Sequence, residues 1–208
     1  MKKFSITKLE TARPNPIAFA TTLTENSLPF NNNPKSVRWL TALTTFHKTG
    51  NTAQALNYLE NSFANRKQTS KNIKEVISLR QALLNYFDEH TQKKFNYYSH
   101  RTRLEIILSP KVKITGTIWL INSTVEGKYS SYTIVDDKTA QIWKSELRHP
   151  ILQDYIAPKI FNCDRKDISV GIINYTTGQH EQQIFEDDDI EIALEELSYI
   201  GAKISSVL

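Results

Sequence analysis

Cysteine, glycine and long apolar runs are scarce in this sequence, and each shortage excludes a class of protein. Cys163 is the only cysteine, which excludes an internal disulfide or a multi-cysteine metal site and makes the reducing cytoplasm the expected compartment. Only six glycines occur, without a phosphate-binding loop or dinucleotide fingerprint, so nucleotide hydrolysis is disfavoured. No apolar run reaches the length of about 18 residues that a membrane span needs, and no apolar stretch follows the basic start as in a signal peptide.

The net charge of +4 conceals an asymmetry between the two halves of the chain. Residues 1–100 contain 14 Lys and Arg against 6 Asp and Glu, whereas residues 101–208 contain 12 against 16. A basic half is typical of a surface that faces nucleic acid or an acidic partner, and equally of a solvated helical surface. The histidines show no metal-ligand spacing; they are His47, His90, His100, His149 and His180.

Apolar periodicity divides the chain into two regions. Stripes at helical spacing predict helices near residues 36–48, 53–63 and 72–88, and residues 26–34, rich in asparagine and proline, are predicted to form a loop. From residue 104 onward, β-branched and aromatic runs predict antiparallel strands over 104–108, 112–121 and 129–135. A helix over 151–161, strands over 168–175 and 182–185, and a final helix from 187 complete the pattern.

These elements predict an α+β fold, with a mixed central β-sheet flanked by helices and an N-terminal helical region. We expect residues 1–100 to be mainly helical and to pack on a core formed by residues 101–208, rather than to fold independently.

Charged and polar residues in the second region follow a definite order along the predicted elements. The glycine-containing strand with Gly116 and Trp119 follows an acidic residue, and the next strand runs into the sequence Asp-Asp-Lys-Thr. A helix with a glutamine and a tyrosine comes next. Over residues 103–208 this order resembles the PD-(D/E)XK nuclease superfamily, especially its RecB-like branch. The positions that match the family's motifs are Glu105, Asp136, Lys138, Gln153 and Tyr155.

The resemblance implies a role for each matching residue. Glu105 and Asp136 would bind Mg²⁺ through carboxylate oxygens, and the metal would activate a water molecule and neutralise charge on the scissile phosphate. Lys138 would orient the attacking water or stabilise the transition state. Because side chains on a strand alternate with period two, Asp136 and Lys138 are predicted to share one face of a strand. Gln153 and Tyr155 would belong to the helix motif.

The chain departs from the family pattern at the first metal ligand. Trp119 stands where the family has the strand aspartate, and tryptophan cannot bind Mg²⁺. Asn122 and Glu126 are the nearest replacement ligands, although their registers differ. The glutamine and tyrosine are two residues apart, whereas the family usually has four.

Three functions remain open on the sequence alone. The first is a divergent nuclease-fold protein, inactive or cutting only within a complex, that binds DNA or a helicase-like partner, in a context that analogy places in bacterial defence or mobile elements. The second is an active Mg²⁺-dependent DNase that uses Glu105, Asp136 and Lys138. The third is a non-enzymatic scaffold or accessory subunit that docks through its helices.

Overall fold

Helices on both faces enclose a mixed sheet of six strands in the computed structural model, which describes residues 1–23, 35–124 and 126–208. This confirms the predicted α+β fold with its N-terminal helical region; the loop predicted over residues 26–34 lies outside the described residues. The strands are β1 (Lys2–Ser5), β2 (Asn96–Ser109), β3 (Val112–Ser123), β4 (Tyr129–Val135), β5 (Ile168–Asn174) and β6 (His180–Gln183). The α-helices are α1 (Leu9–Ala12), α2 (Pro16–Thr22), α3 (Lys35–Thr49), α4 (Thr52–Phe63), α5 (Ser70–Gln92), α6 (Asp137–Ala140), α7 (Arg148–Ile156) and α8 (Asp187–Ser205).

Shorter helical turns connect these elements. Two of the longer helices, α4 and α5, are N-capped by a side chain that accepts a hydrogen bond from a backbone N–H. The connecting turns are 3₁₀ turns at Ile6–Lys8, Trp143–Ser145 and Arg165–Asp167, and a π-helical turn at Ala157–Phe161 follows α7. The Asn51 side chain accepts a hydrogen bond from the Gln54 N–H at the start of α4, and Thr69 accepts one from the Asn72 N–H at the start of α5.

Strand β3 organises the sheet because it pairs with three other strands. Strand β2 runs antiparallel along the whole of one edge of β3. On the other edge, β1 pairs in parallel with the first residues of β3, and β4 pairs antiparallel with its last residues, from Leu120 to Ser123. Strand β5 lies parallel to β4 after a crossover that contains α7, and β6 pairs antiparallel with β5. Strand β2 is therefore an edge strand.

Each face of the sheet carries its own apolar cluster. On one face, α1, α2, α7 and α8 bury residues such as Leu9, Ile114 and Ile200. On the opposite face, α3, α4 and α5 bury Trp39, Leu83 and their neighbours against the far part of the sheet. Burial of apolar side chains is the main favourable contribution to folding, so both clusters hold the helices to the sheet.

The first hundred residues contribute to the sheet as well as to the helical layer. Strand β1 pairs with β3, and β2 begins at Asn96, earlier than the strand predicted from residue 104. The apolar side chains of β1 and α1 also belong to the same cluster as those of α7 and α8. The division at residue 100 stays a prediction, and it falls inside β2. Within the described ranges, no helix combines the length and the apolarity needed to cross a membrane.

Candidate functional site

Glu105 lies within the edge strand β2. It pairs with Thr115 of β3. Its side chain is 53% exposed, and its carboxylate accepts a hydrogen bond from Lys113 Nζ at 2.8 Å. The nearby lysine therefore already compensates the charge of Glu105.

Asp136 and Lys138 do not share a strand face, so this prediction from the two-residue spacing is wrong. Strand β4 ends at Val135, and Asp136 caps α6 by accepting a hydrogen bond from the Thr139 N–H at 3.0 Å. Lys138 lies within the exposed turn of α6. The physical reason is local, because an aspartate side chain satisfies the free N–H groups of a helix start and so favours a helix over continued strand.

Asp137 makes more side-chain hydrogen bonds than Asp136 does. Its Oδ1 accepts hydrogen bonds from Asn174 Nδ2 at 2.7 Å and from Thr176 Oγ1 at 2.5 Å. The hydrogen bonds from Thr176 and Asn174 lower the pKa of the Asp137 carboxyl. This residue therefore attaches α6 to the end of β5.

Gln153 and Tyr155 lie on the same short helix but have different surroundings. Gln153 is fully buried; its Nε2 donates to the carbonyl oxygens of Arg165 and Phe185, and its Oε1 accepts from the Phe185 N–H at 2.8 Å. Tyr155 reaches the sheet edge, where its hydroxyl accepts a hydrogen bond from the Glu105 backbone N–H at 3.4 Å. The structure thus brings Tyr155 and Glu105 together. Gln153 instead lies in the interior, where it acts as a clamp by hydrogen-bonding α7 to the segments that contain Arg165 and Phe185.

The side chains around Glu105 and Asp136 do not fit a Mg²⁺ ion. In the part of the chain that the structure describes, no group of three or more His, Cys, Asp or Glu is arranged to hold a metal. Trp119, at the position where the resemblance predicts an aspartate, is half-buried against the apolar cluster of the α3–α5 layer. The replacement ligands lie elsewhere, since Asn122 is buried near the end of β3 and Glu126 follows in the β3–β4 turn. Mg²⁺ prefers an octahedral set of oxygen ligands, which these residues do not provide.

A second set of side chains lies on the part of the sheet that α3–α5 leave uncovered. The apolar cluster beneath α7 and α8 contains four strand side chains, those of Phe4, Leu104, Val112 and Ile114. Because side chains alternate along a strand, the neighbours of these residues point to the opposite face of the sheet. Arg101, at an irregular position of β2, approaches this face from the α3 side, where it donates a hydrogen bond to Thr41 Oγ1 at 3.1 Å. We call this surface the open sheet face; its residues are Lys3, Ser5, Arg101, Arg103, Glu105, Lys113, Thr115 and Thr117.

The open sheet face is predominantly cationic. It carries four basic side chains and one acidic side chain, and only Lys113 is paired with that acid. Over the described ranges, Lys3, Arg101 and Arg103 form no ion pair, and all three are exposed. Uncompensated cations on a sheet surface create a positive potential that attracts anions. The sequence indicated a basic first half, but it could not show that residues from three strands meet here.

Three histidines that are distant in sequence meet between the helical layer and the sheet. His47 Nε2 lies 2.9 Å from the Tyr86 hydroxyl, and the rings of His47 and His90 are 4.7 Å apart. His180, on β6, lies 6.0 Å from the Tyr86 ring, and its Nδ1 is 3.2 Å from Glu89 Oε2. Burial lowers the pKa of His47 to about 3 and that of His180 to about 4. No sequence spacing predicted this cluster.

Comparison with known proteins adds no assignment. The chain matches no protein-family model and no curated protein.

Proposed function

We propose that this chain is a divergent nuclease-fold protein that binds DNA on its open sheet face and does not cleave DNA by itself. The observation that carries the proposal is a group of three exposed cations, Lys3, Arg101 and Arg103, which form no ion pair with a described residue and lie on a sheet surface that no described helix covers. The order of elements supports the nuclease-type fold: a helix, an antiparallel β2–β3–β4 meander, and the helix with Gln153 and Tyr155 before a parallel strand.

The physics of the binding step is phosphate neutralisation. Each cation that neutralises a DNA phosphate releases a condensed counterion, so the affinity depends steeply on salt. Three to four such contacts would lower the affinity roughly 40- to 150-fold between 50 and 200 mM salt. Glu105, neutralised by Lys113, would not repel the DNA strongly.

The site of DNA binding can be tested by removing charge in two places. We expect the double substitution Lys3→Gln with Arg101→Gln to reduce the slope of log affinity against log salt by about 2, because two phosphate contacts are lost. Fluorescence anisotropy with labelled duplex and single-stranded DNA at several salt concentrations measures this slope.

The matched control removes the same charge from the helical layer. Lys67 and Lys71 are exposed and form no ion pair over the described ranges. Lys67→Gln with Lys71→Gln should leave the slope within about 0.5 of the wild-type value. If the control pair weakens binding as much as the test pair, the DNA binds on the helices. If the wild-type chain binds no DNA at low salt, the proposal is wrong.

Cleavage is a separate question with its own assay. With Mg²⁺ or Mn²⁺ and linear, nicked or single-stranded DNA, we expect no strand breakage above a blank, because the carboxylates of the described residues do not converge on one metal position. Breakage that disappears in Lys138→Ala but persists in Lys144→Ala, another exposed lysine, would instead establish the Mg²⁺-dependent DNase.

A groove between α4 and α5 favours a second candidate, the accessory subunit. Phe63, Ile73 and Ile77 line this groove, and the last two side chains are 45% and 60% exposed. Exposed apolar patches of this kind mark protein-binding surfaces. Binding of a helicase-like partner through this groove, without binding of DNA, would support the accessory-subunit function.

A further inference from the structure

No described strand pairs with the outer edge of β2, where backbone hydrogen-bonding groups are directed outward. The Glu105 N–H donates to Tyr155, on the side away from β3. Because the backbone groups of an antiparallel strand alternate between its two edges, the N–H and C=O groups of Arg103 and Ile107 also point away from β3. An unpaired edge of this length is a template for another strand.

The space beside this edge is open and partly apolar. A cavity of about 360 Å³ lies between β2, α7 and α8, and its walls include Ile106, Ile151 and Leu197. The neighbouring Ile107 side chain is 66% exposed. Among the described residues, only Tyr155 hydrogen-bonds an outward backbone group of this edge, through its hydroxyl, and at 3.4 Å this hydrogen bond is long.

The charges along β2 are complementary to those of an antiparallel copy of the same strand. If two β2 strands pair around a two-fold axis at Leu104, each Arg103 lies opposite Glu105 of the other copy. Thr102 then lies opposite Ile106, on the face that carries the apolar cluster. Registers centred on Arg103 or on Glu105 would instead place identical charges opposite each other, which is destabilising.

We propose that two copies of this chain associate through their β2 edges, antiparallel and centred on Leu104, to form one continuous sheet. A two-fold axis makes such a contact self-complementary, so every favourable pair occurs twice. The Tyr155 hydroxyl weakens this association, because it competes with the incoming strand for the Glu105 N–H. The association does not rest on the proposed function, but it uses Arg103 of the open sheet face, which would pair with Glu105 of the other copy.

Charge reversal with rescue tests this arrangement. Sedimentation velocity of the full chain, without DNA, should show a monomer–dimer equilibrium. Arg103→Glu and Glu105→Arg should each weaken the dimer at least about tenfold, because two attractive pairs become repulsive. The double variant R103E/E105R restores opposite charges and should return to within about threefold of wild type. Lys71→Glu, a charge reversal on α5, is the control and should leave the equilibrium unchanged.

Substitution of Tyr155 is expected to strengthen the dimer, whereas the charge reversals weaken it. Tyr155→Phe removes the competing hydroxyl and should strengthen the dimer about threefold or more. Wild type and Y155F that both remain monomeric at 200 µM would overturn the proposal. A dimer that neither charge reversal weakens, or one that the double variant fails to restore while circular dichroism shows a native fold, would also overturn it.

Discussion

Replacement of Gln153 by leucine is expected to lower the free energy of unfolding by about 2–5 kcal/mol, because it leaves two buried backbone groups without hydrogen-bond partners. Those groups are the carbonyl oxygen and the N–H of Phe185. The Arg165 carbonyl, to which Gln153 also donates, keeps its hydrogen bond from the Ile168 N–H. Each loses its partner in an interior from which water is excluded, so the cost greatly exceeds that of an exposed hydrogen bond. Urea unfolding followed by circular dichroism measures the change.

Gln141 provides the control for this prediction. It is exposed in the segment after α6 and makes no hydrogen bond through its side chain over the described ranges. Gln141→Leu should change the free energy of unfolding by less than about 0.5 kcal/mol. If Q153L also remained within 1 kcal/mol of wild type, Gln153 would not be the clamp that the structure shows, and an accessible role for it would regain support.

Acidification from pH 7 to pH 5 is expected to lower the free energy of unfolding by about 2 kcal/mol for each of His47 and His180. Burial holds the folded-state pKa values of both residues, at about 3 and about 4, below the unfolded value of about 6.5. The unfolded chain therefore binds protons first, so stability is full above pH 6.5 and falls as the pH decreases. The proximity of Glu89 to His180 opposes this effect only in part. Urea midpoints at half-unit pH steps provide the measurement.

The double variant His47→Gln with His180→Gln tests whether these two residues cause the loss. It should remove most of the combined decrease of about 4 kcal/mol between pH 7 and pH 5, because glutamine does not titrate. His100→Gln, at a more exposed histidine of β2, should leave most of the decrease in place. A double variant with the wild-type pH dependence would assign the effect to other groups.

Most of the secondary structure was predictable because it depends on local pattern. The apolar periodicity of α3, α4 and α5 indicates which helix face is buried, and the β-branched run of β5 indicates a buried strand. Prediction was weaker at the boundaries. The first part of β2 carries polar residues that give no strand signal, and only pairing with β3 identifies it as strand. Likewise β1 is short and becomes a strand because β3 lies beside it.

The candidate site was less predictable than the fold. A spacing of two residues predicted one strand face for Asp136 and Lys138, but the capping hydrogen bond to Thr139 ends the strand first. Gln153 matched a family motif, and its burial could not be inferred from that match. The cations of the open sheet face come from segments about 100 residues apart, so no local pattern connects Lys3 with Arg103.

By itself, the sequence determined the α+β class and the order of the elements, since both depend on residue types and their near neighbours. Only the tertiary structure decided that Glu105 meets Lys113 and Tyr155, that three cations share an uncovered sheet surface, and that three histidines surround Tyr86. The physical reason is that strand pairing and helix packing join residues distant in the chain. Burial, charge compensation and pKa depend on those neighbours, which the linear order of residues does not specify.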